Sequence, residues 1–258
     1  RSSDLNKGFG GIVMATAVIC EFNPFHNGHK YLLESAKNVL KEPVIAIMSG
    51  SFTQRGEVAV CDKFVRAKSA LENGADLVLE LPVVFSLSGA EGFAKAGVAI
   101  ASAFDCTNHL AFGSESGDCE LLKKSANAVC DERVQALVRD GMKNGGYYPR
   151  ELENAVKMVF GDEISSVLCE PNNILGVEYI KALNGTGVEP FSVARTGAAH
   201  DSRIAGEGFA SASHIREMLR NGENAKKYAP YIPDEITFPE NLDRPLLYRL
   251  RTMTREDI

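Results

Sequence analysis

The sequence lacks the features that define several large classes of protein. Its longest apolar runs, such as 43–48 and 98–103, are far shorter than the roughly 18 residues that a membrane helix needs. It has no GxxxxGK[ST] string, so phosphate-bond cleavage of the P-loop type is not indicated. Basic residues are also in deficit, because 28 Lys and Arg against 34 Asp and Glu give a net charge of −6. This balance excludes a protein that coats nucleic acid as a whole, although a local basic patch stays open.

A zinc site is also not indicated. None of the six cysteines belongs to a CxxC pair or has a histidine at zinc-ligand spacing. Several lie in apolar runs, which predicts reduced, mostly buried thiols in a cytoplasmic protein. The sequence therefore predicts no protein-bound metal and no membrane association.

The overall composition is that of an ordinary folded protein. The chain has 258 residues, 45% of them hydrophobic, 24% charged and 8% aromatic, which excludes disorder and fits one to two domains. Residues 1–13 are polar and glycine-rich and precede Met14, so we expect a leader before a native start at Met14. Residues 222–258 contain four prolines and predict a linker and the start of a C-terminal helical region, cut short at Ile258.

Short β-branched runs alternate with longer amphipathic segments in the first half of the chain. The predicted strands are 15–22, 43–48, 76–81, 109–112 and 190–194, and the predicted helices are 28–40, 62–72, 88–104, 173–183 and 213–219. Such alternation is typical of βαβ units with right-handed crossovers. We therefore predict an α/β fold, a Rossmann-like domain over residues 14–221 with a parallel sheet and a helical insertion at 118–160.

The junction between the first strand and the first helix carries the clearest chemistry. Ligands of open parallel sheets bind at the carboxyl ends of the strands. Here Gly28 allows close approach of the backbone, the helix start offers free N–H groups, and His26 and His29 add donors for phosphate oxygens. The pattern favours a nucleoside triphosphate, with helix capping by the histidines as the alternative.

A second helix start has the same character. In the run SASHIR at 211–216, Ser213 is placed to cap a helix and Arg216 to reach an anion at its N-terminus. The two segments together resemble the HxGH nucleotidyltransferase superfamily, whose second signature is an ISSTxIR-like string.

Longer strings resemble one family in that superfamily, the bacterial tRNA-Met cytidine acetate ligases. They are ICEFNPFHNGHKYLL at 19–33, MSGSFTQRGE at 48–57, GADLVLELP at 74–82, FGSE at 112–115 and PNNILGVEYIKAL at 171–183. Family members more often have Tyr where this chain has Phe22, and they usually continue past residue 258. The resemblance implies an ATP-dependent ligase that forms acetyl-adenylate from acetate and acetylates N4 of the wobble cytidine of elongator tRNA-Met. In-line attack at the α-phosphorus needs charge stabilisation more than a protein nucleophile, so His26 and His29 are the predicted catalytic residues.

The resemblance also implies an ATP-binding set. Its continuous part comprises Ile19, Cys20, Glu21, Phe22, Asn23, Pro24, Phe25, His26, Asn27, Gly28, His29, Lys30, Tyr31 and Leu32. Its separate members are Gly113, Asn172, Arg195, Ser213 and Arg216. The alternatives are a turn for Gly113 and a solvated strand end for Arg195. We assign nucleotide contact to Asn172 and helix capping to Asn173, and expect Mg²⁺ to accompany the triphosphate.

Three further features complete the sequence-based hypotheses. The run 49–57 is a loop that either closes over the adenylate or receives the cytidine, with Phe52 able to stack on a base, or else it is an ordinary surface loop with a buried Phe. Lys63, Arg66 and Lys68 are predicted to form a solvated helix face, with phosphate contact by Arg66 as the alternative. Binding to tRNA requires a basic surface, which we expect from one face of the domain and from the C-terminal arginines or residues beyond Ile258.

Two other functions fit the same fold. A small-metabolite adenylyltransferase would use the same HxGH helix start without an RNA-binding region, and a non-catalytic module would only hold ATP. Acetate-dependent exchange of pyrophosphate into ATP separates both from the ligase. The sequence predicts no oligomeric state.

Overall fold

Five parallel strands form the sheet that organises the molecule. The computed structural model describes residues 13–195 and 208–257, so the predicted leader lies outside it apart from Val13. The strands are Ala15–Cys20 (β1), Val44–Ser49 (β2), Leu77–Leu81 (β3), Thr107–Ser114 (β4) and Glu189–Ala194 (β5). They lie in the order β3-β2-β1-β4-β5, and every neighbouring pair is parallel. The predicted parallel α/β fold is confirmed, with strand ends shifted by one or two residues.

Helices connect and cover these strands. The α-helices are Asn27–Leu40 (α1), Lys63–Glu72 (α2), Val83–Ser86 (α3), Ala90–Ser102 (α4), Cys119–Cys130 (α5), Glu132–Lys143 (α6), Tyr148–Phe160 (α7), Asp162–Ser166 (α8), Pro171–Leu183 (α9), Ala212–Arg220 (α10) and Asp243–Thr252 (α11). Short polar side chains begin several of them; Asp62, for example, accepts a hydrogen bond from the Phe64 amide at 2.8 Å. Among the described residues, no helix is long and apolar enough to cross a membrane.

Each face of the sheet carries its own apolar core. On β1, Ala17 and Ile19 point to the face covered by α4 and α9, while Val18 and Cys20 point to the face covered by α1 and α2. All six residues of β1 are buried, as expected for a central parallel strand with helices on both sides. The strand order reverses between β1 and β4, and the crevice at such a point is where open α/β sheets bind ligands.

The predicted helical insertion is helical and has a small core of its own. Buried Val134, Val138 and Val156 pack together from α6 and α7. Helical turns continue to Cys169, beyond the expected limit at residue 160. The domain boundaries themselves stay predictions.

The segment after α10 packs against the domain, unlike a free linker. Ala225 and Ala229 are 3% and 0% exposed and lie against Ile215 of α10. The Thr237 amide donates to the Val60 carbonyl at 2.9 Å. In contrast, α11 keeps Leu246, Leu247 and Leu250 more than half exposed.

Two glycines let helices press closely on the sheet. A Cβ added to Gly97 of α4 would lie 2.5 Å from Cδ1 of Ile19, and one added to Gly176 of α9 would lie 2.8 Å from Cε2 of Phe112. Ile19 and Phe112 are buried near the carboxyl ends of β1 and β4. Both side chains are therefore in close contact with the helix backbones at these two glycines.

We therefore expect Gly97→Ala to lower the free energy of unfolding by up to about 2 kcal/mol in urea denaturation. Overpacking costs about 1–3 kcal/mol, and the higher helix propensity of alanine over glycine offsets about 1 kcal/mol of that cost. The control is Gly141→Ala in α6, where the nearest atom is a carboxylate oxygen of Glu151 at the end of a flexible side chain. Gly141→Ala is expected to leave stability unchanged or to raise it by up to about 1 kcal/mol. If Gly97→Ala were stabilised as much as Gly141→Ala, the contact with Ile19 would not be tight.

Candidate functional site

The turn between β1 and α1 brings the first group of site residues to the carboxyl edge of the sheet. Phe22 is fully buried with φ of 48°, a left-handed conformation that non-glycine residues rarely adopt. Asn23, buried beside it, accepts a hydrogen bond on Oδ1 from the Val60 amide at 2.8 Å. These contacts hold the turn that leads into the first helix.

His26 and His29 form a reciprocal cap at the start of α1. Nδ1 of His26 accepts from the Gly28 amide at 3.0 Å, and Nδ1 of His29 accepts from the His26 amide at 3.3 Å. The two rings stack with centroids 3.7 Å apart. A Cβ on Gly28 would lie 2.8 Å from Cε1 of His26, so glycine is needed for this ring to fold over the helix end. Capping and ligand binding are therefore compatible roles for the same two side chains.

Both imidazoles are held neutral. Burial, with the nearby charges of Arg195 and Arg216, lowers the pKa of His26 from 6.5 to about 3. The pKa of His29 is also well below its usual range, because of burial and the neighbouring His26 and Arg195. Since each Nδ1 accepts a backbone hydrogen bond, each neutral ring carries its proton on Nε2. The pair therefore offers two uncharged N–H donors.

Arg66 corrects one prediction. Instead of lying on a solvated helix face it is 1% exposed, and its guanidinium donates to the carbonyls of Glu21, Ser49, Gly50 and Cys61. Carbonyls at the carboxyl ends of strands lack hydrogen-bond donors within the sheet, and the guanidinium of Arg66 provides those donors. Lys63 and Lys68 remain partly or largely exposed, in ion pairs with Glu80 and Glu72.

The start of α10 faces the same edge of the sheet. Ser211, not Ser213, caps this helix by accepting from the His214 amide at 3.2 Å. The capping prediction for Ser213 was therefore wrong by two residues, because the helix begins at Ala212. Arg216, one turn into the helix, donates from Nη1 to the Asn23 carbonyl at 2.9 Å.

The ends of β4 and β5 complete the site. A Cβ on Gly113 would lie 3.6 Å from Cγ of Arg195, so these two residues are neighbours. Nε of Arg195 is buried without a hydrogen-bond partner among the described residues. Glu115, which follows β4, accepts on its two carboxylate oxygens from Nδ2 of Asn172 at 2.6 Å and from the Asn173 amide at 2.9 Å.

The capping role predicted for Asn173 was wrong. Asn173 lies within the first turn of α9, is 4% exposed, and accepts on Oδ1 from the Ser116 amide at 3.1 Å. The carboxylate of Glu115 takes the place of a cap by accepting from the Asn173 amide. Asn172 uses its amide N–H for Glu115 and keeps Oδ1 as an acceptor.

These elements enclose a cavity of about 300 Å³. Most of the residues predicted to bind ATP line it: Ile19, Cys20, Glu21, Phe22, Asn23, His26, Gly28, His29, Tyr31, Leu32, Gly113, Asn172, Arg195, Ser213 and Arg216. Four predicted residues do not: Pro24, Phe25, Asn27 and Lys30. Phe25 is buried against Phe22 and Tyr231, and Lys30 pairs with Glu34 at 3.8 Å. Their assignment to ATP stays a prediction.

The loop after β2 also reaches the cavity, as one of the two hypotheses for it required. Thr53, Gln54, Arg55 and Glu57 line the cavity, and the Gln54 amide donates to Oε1 of Glu21 at 2.6 Å. Burial raises the pKa of Glu21, against the opposing effects of this hydrogen bond and of nearby arginines. Phe52 pairs with Val58 in an isolated antiparallel bridge and does not line the cavity.

Sequence reasoning missed the apolar part of the cavity, above all Phe93 of α4, Phe112 of β4 and Tyr179 of α9. One available signal was helical spacing. Asn172, Leu175 and Tyr179 follow the i, i+3, i+7 pattern of one helix face, and all three line the cavity.

The cavity gives little support for a metal held by the protein alone. Within residues 13–195 and 208–257, no group of three or more His, Cys, Asp or Glu side chains is placed to hold a metal ion. Glu21 and Glu57 are the carboxylates that line the cavity. Mg²⁺ is typically bound by one or two carboxylates together with substrate phosphates. Glu21 and Glu57 fit a site in which the phosphates provide the other ligands.

A five-stranded parallel sheet with a histidine-capped helix start at its carboxyl edge defines a nucleotidyltransferase-type domain. The family model described as HIGH Nucleotidyl Transferase matches residues 13–255. The chain therefore belongs to this family.

The relatives that it resembles are named as follows. The tRNA(Met) cytidine acetate ligase of Caldanaerobacter subterraneus subsp. tengcongensis is 42% identical over 227 residues, which cover 85% of this chain and 56% of that protein. The protein of the same name from Thermosipho africanus is 36% identical over 259 residues, covering 93% and 61%. The chain thus spans less than two thirds of the length of these relatives.

Solved structures give the same picture. The crystal structure of apo Thermotoga maritima TmcAL matches with a TM-score of 0.83 and 34% identity, covering 94% of this chain and 63% of that one. A second crystal structure of this protein, bound with alpha-thio ATP, matches with a TM-score of 0.81 at 34% identity, covering 94% and 62%.

The neutral state of His26 predicts a loss of stability in acid. Below pH 6.5 the unfolded chain binds a proton at this residue, which the folded chain does not bind until the pH approaches 3. The contribution is present above pH 6.5 and is lost as pH falls, by at most about 1.4 kcal/mol per pH unit. In urea denaturation between pH 7 and pH 4.5, His26→Asn should lose less stability than wild type.

His26→Ala serves as the matched control. It lacks the cap acceptor and should be about 1 kcal/mol less stable than His26→Asn at pH 7. Both variants should show the same reduced dependence on pH. Variants that lose stability in acid as steeply as wild type would show that His26 is not buried in its neutral form.

Proposed function

We propose that this chain belongs to an enzyme that uses ATP to activate acetate as acetyl-adenylate and transfers the acetyl group to N4 of the wobble cytidine of elongator tRNA-Met. One observation carries the proposal. Two helix starts, each with buried basic or N–H-donating side chains, meet in one cavity at the carboxyl edge of the sheet. The names of the relatives supply the acceptor and the acid.

The phosphates are proposed to lie over the start of α1. Free N–H groups and the helix dipole favour an anion there, and Nε2 of His26 and His29 donate in addition. Arg195 and Arg216 bring positive charge to the same end of the cavity. The unpartnered Nε of Arg195 is a donor that a phosphate or ribose oxygen would satisfy.

The nucleoside is proposed to lie toward β4 and α9. Gly113 leaves space above the strand end, with the side chain of Arg195 as its neighbour. Oδ1 of Asn172 is free to accept from the adenine amino group or a ribose hydroxyl, because Glu115 fixes the orientation of its amide.

The first step needs no protein nucleophile. A carboxylate oxygen of acetate attacks the α-phosphorus, the bond from the α-phosphorus to the bridging oxygen breaks, and pyrophosphate leaves with that electron pair. The neutral histidines and the arginines stabilise the charge that develops on the leaving group. Mg²⁺ with the triphosphate would neutralise part of the same charge, with Glu21 or Glu57 as its protein ligands.

In the second step the cytidine N4 attacks the acetyl carbonyl carbon, AMP leaves, and the N4 proton is released. The loop with Gln54 and Arg55 lines the cavity, so we place the entering nucleotide beside it. Phosphate contacts elsewhere on the tRNA are proposed for the arginines of α11, of which Arg244, Arg249 and Arg251 are exposed. Acting on ATP and tRNA, the protein is proposed to work in the cytoplasm.

The deciding experiment is exchange of labelled pyrophosphate into ATP with and without acetate. Exchange that depends on acetate supports the ligase. Formation of a dinucleotide with a phosphorylated acceptor, without such exchange, would support an adenylyltransferase, and ATP binding without either reaction would support a binding module.

His29→Ala is expected to slow acetate-dependent exchange by about 100-fold or more, since one preorganised donor at developing charge is worth about that much. The control is His109→Gln, because His109 lies at the opposite edge of the sheet and contacts Glu42 at 2.9 Å. His109→Gln should retain exchange once folding is confirmed by circular dichroism. Unchanged ATP affinity and unchanged exchange in His29→Ala would remove it from the site.

Arg216→Ala is expected to weaken ATP binding by about tenfold or more, because charge-assisted hydrogen bonds in a partly buried site exceed surface ion pairs. Arg220 offers a control on the same helix, since it is exposed and pairs with Glu240 at 3.0 Å. Calorimetric titration with ATP should separate the two variants. If Arg216→Ala lost tRNA affinity but formed acetyl-adenylate normally, the arginine would belong to the RNA site.

A further inference from the structure

One wall of the cavity has no part in the proposed phosphate contacts. It is formed by Ile19 of β1, Phe93 of α4, Phe112 of β4 and Tyr179 of α9. Their exposed fractions are only 6%, 1%, 3% and 2%. All four belong to the apolar core between the sheet and helices α4 and α9, on the opposite face of the sheet from α1. We call this set the apolar wall.

The apolar wall is fixed in place. Gly97 brings α4 onto Ile19, and Gly176 brings α9 onto Phe112, without room for even a methyl group between them. The rings of Phe112 and Tyr179 lie 5.5 Å apart, tilted by 53°. A ligand that presses on Ile19 or Phe112 from the cavity therefore meets side chains that are already packed against α4 and α9.

The apolar wall contains one polar atom without a partner. The hydroxyl of Tyr179 hydrogen-bonds to none of the residues 13–195 and 208–257, although the residue is 2% exposed and lines the cavity. The oxygen is not one of the fully buried unpaired atoms among the described residues, so it is open to the cavity, where a ligand oxygen can accept its hydrogen bond. Burial raises the pKa of Tyr179, so the group is protonated and can donate.

This chemistry suits a short carboxylic acid better than a nucleobase. A purine presents several donors and acceptors along its edges, and the apolar wall would satisfy only one of them. Acetate has a methyl group that gains from apolar contact and an oxygen that accepts a hydrogen bond. The apolar wall also lies at the ends of β1 and β4, next to the start of α1 where the phosphates are proposed to bind.

We propose that the apolar wall is the acid subsite: the methyl group of acetate packs against Ile19, Phe93 and Phe112, and the hydroxyl of Tyr179 donates to one carboxylate oxygen. The other oxygen is then free to attack the α-phosphorus, forming the P–O bond as pyrophosphate leaves. This assignment rests on the proposed function. On this assignment, the limited space at the apolar wall explains why acetate would be preferred over longer carboxylic acids.

The first test is Tyr179→Phe, which removes only the hydroxyl. In acetate-dependent pyrophosphate exchange, KM for acetate should rise by about tenfold or more, while KM for ATP stays within about twofold. Tyr148→Phe is the control, because Tyr148 is 49% exposed on α7 and lies outside the cavity. Thermal unfolding of both variants checks that they are folded.

The second test enlarges the space. Wild type should use propionate and butyrate at least about tenfold less efficiently than acetate, since one methylene in a fitted pocket changes efficiency by about 10–200-fold. Ile19→Ala should reduce the ratio between the efficiency with acetate and the efficiency with propionate or butyrate, because it makes room at the apolar wall. Phe93→Leu replaces it if Ile19→Ala unfolds.

The outcomes distinguish this inference from the proposed function. If wild type shows no exchange with acetate, the proposed function falls and the acid subsite falls with it. If wild type exchanges but Tyr179→Phe keeps its KM for acetate, only the acid subsite is wrong. If Tyr179→Phe raises KM for ATP instead, the apolar wall holds the nucleoside.

Discussion

The site depends on the hydrogen bonds of one buried guanidinium. Arg66 joins carbonyls that follow β1, end β2 and precede α2. Charge-assisted bonds to carbonyls offset the cost of burying the cation. The loop after β2 is hydrogen-bonded to Arg66 through the Gly50 carbonyl, and its Gln54 amide donates to Glu21. Arg66 also binds the Glu21 carbonyl, so it stabilises the turn that leads to the histidines. The two histidines at the start of α1 are thus positioned partly by a residue on α2.

Burial also determines which groups of the site carry charge. Two imidazoles that are kept uncharged by burial and by neighbouring arginines donate hydrogen bonds without carrying positive charge themselves. The positive charge comes from Arg195 and Arg216, whose guanidinium groups stay protonated at any physiological pH. A site built this way can keep its donors over a wide pH range while its cations attract an anionic ligand.

Much of the fold could be predicted from sequence because it is set by local patterns. β-Branched runs, amphipathic periods and the HNGH turn each indicate their structure within about ten residues, and the strands and principal helices lie where these patterns placed them. The errors involve tertiary contacts. Arg66 was misassigned because most of its partners are backbone carbonyls distant in sequence. Asn173 was misassigned because the carboxylate of Glu115, which follows β4, accepts from the start of α9. Tyr179 was not assigned to the site, because the cavity that it lines forms only when β1, β4, α4 and α9 come together.

The contact between α1 and the segment after α10 has a thermodynamic consequence. The Asn27 amide donates to the Tyr228 carbonyl at 2.9 Å, and Nδ2 of Asn27 donates to the carbonyls of Gly208 and Lys227. The helix start that is proposed to receive phosphate is therefore also the anchor of the chain on its way to α11. By linkage, whatever favours order in that segment favours an ordered phosphate site by the same free energy, and the reverse holds equally. Binding of a phosphate at the start of α1 and ordering of the segment after α10 are therefore thermodynamically coupled.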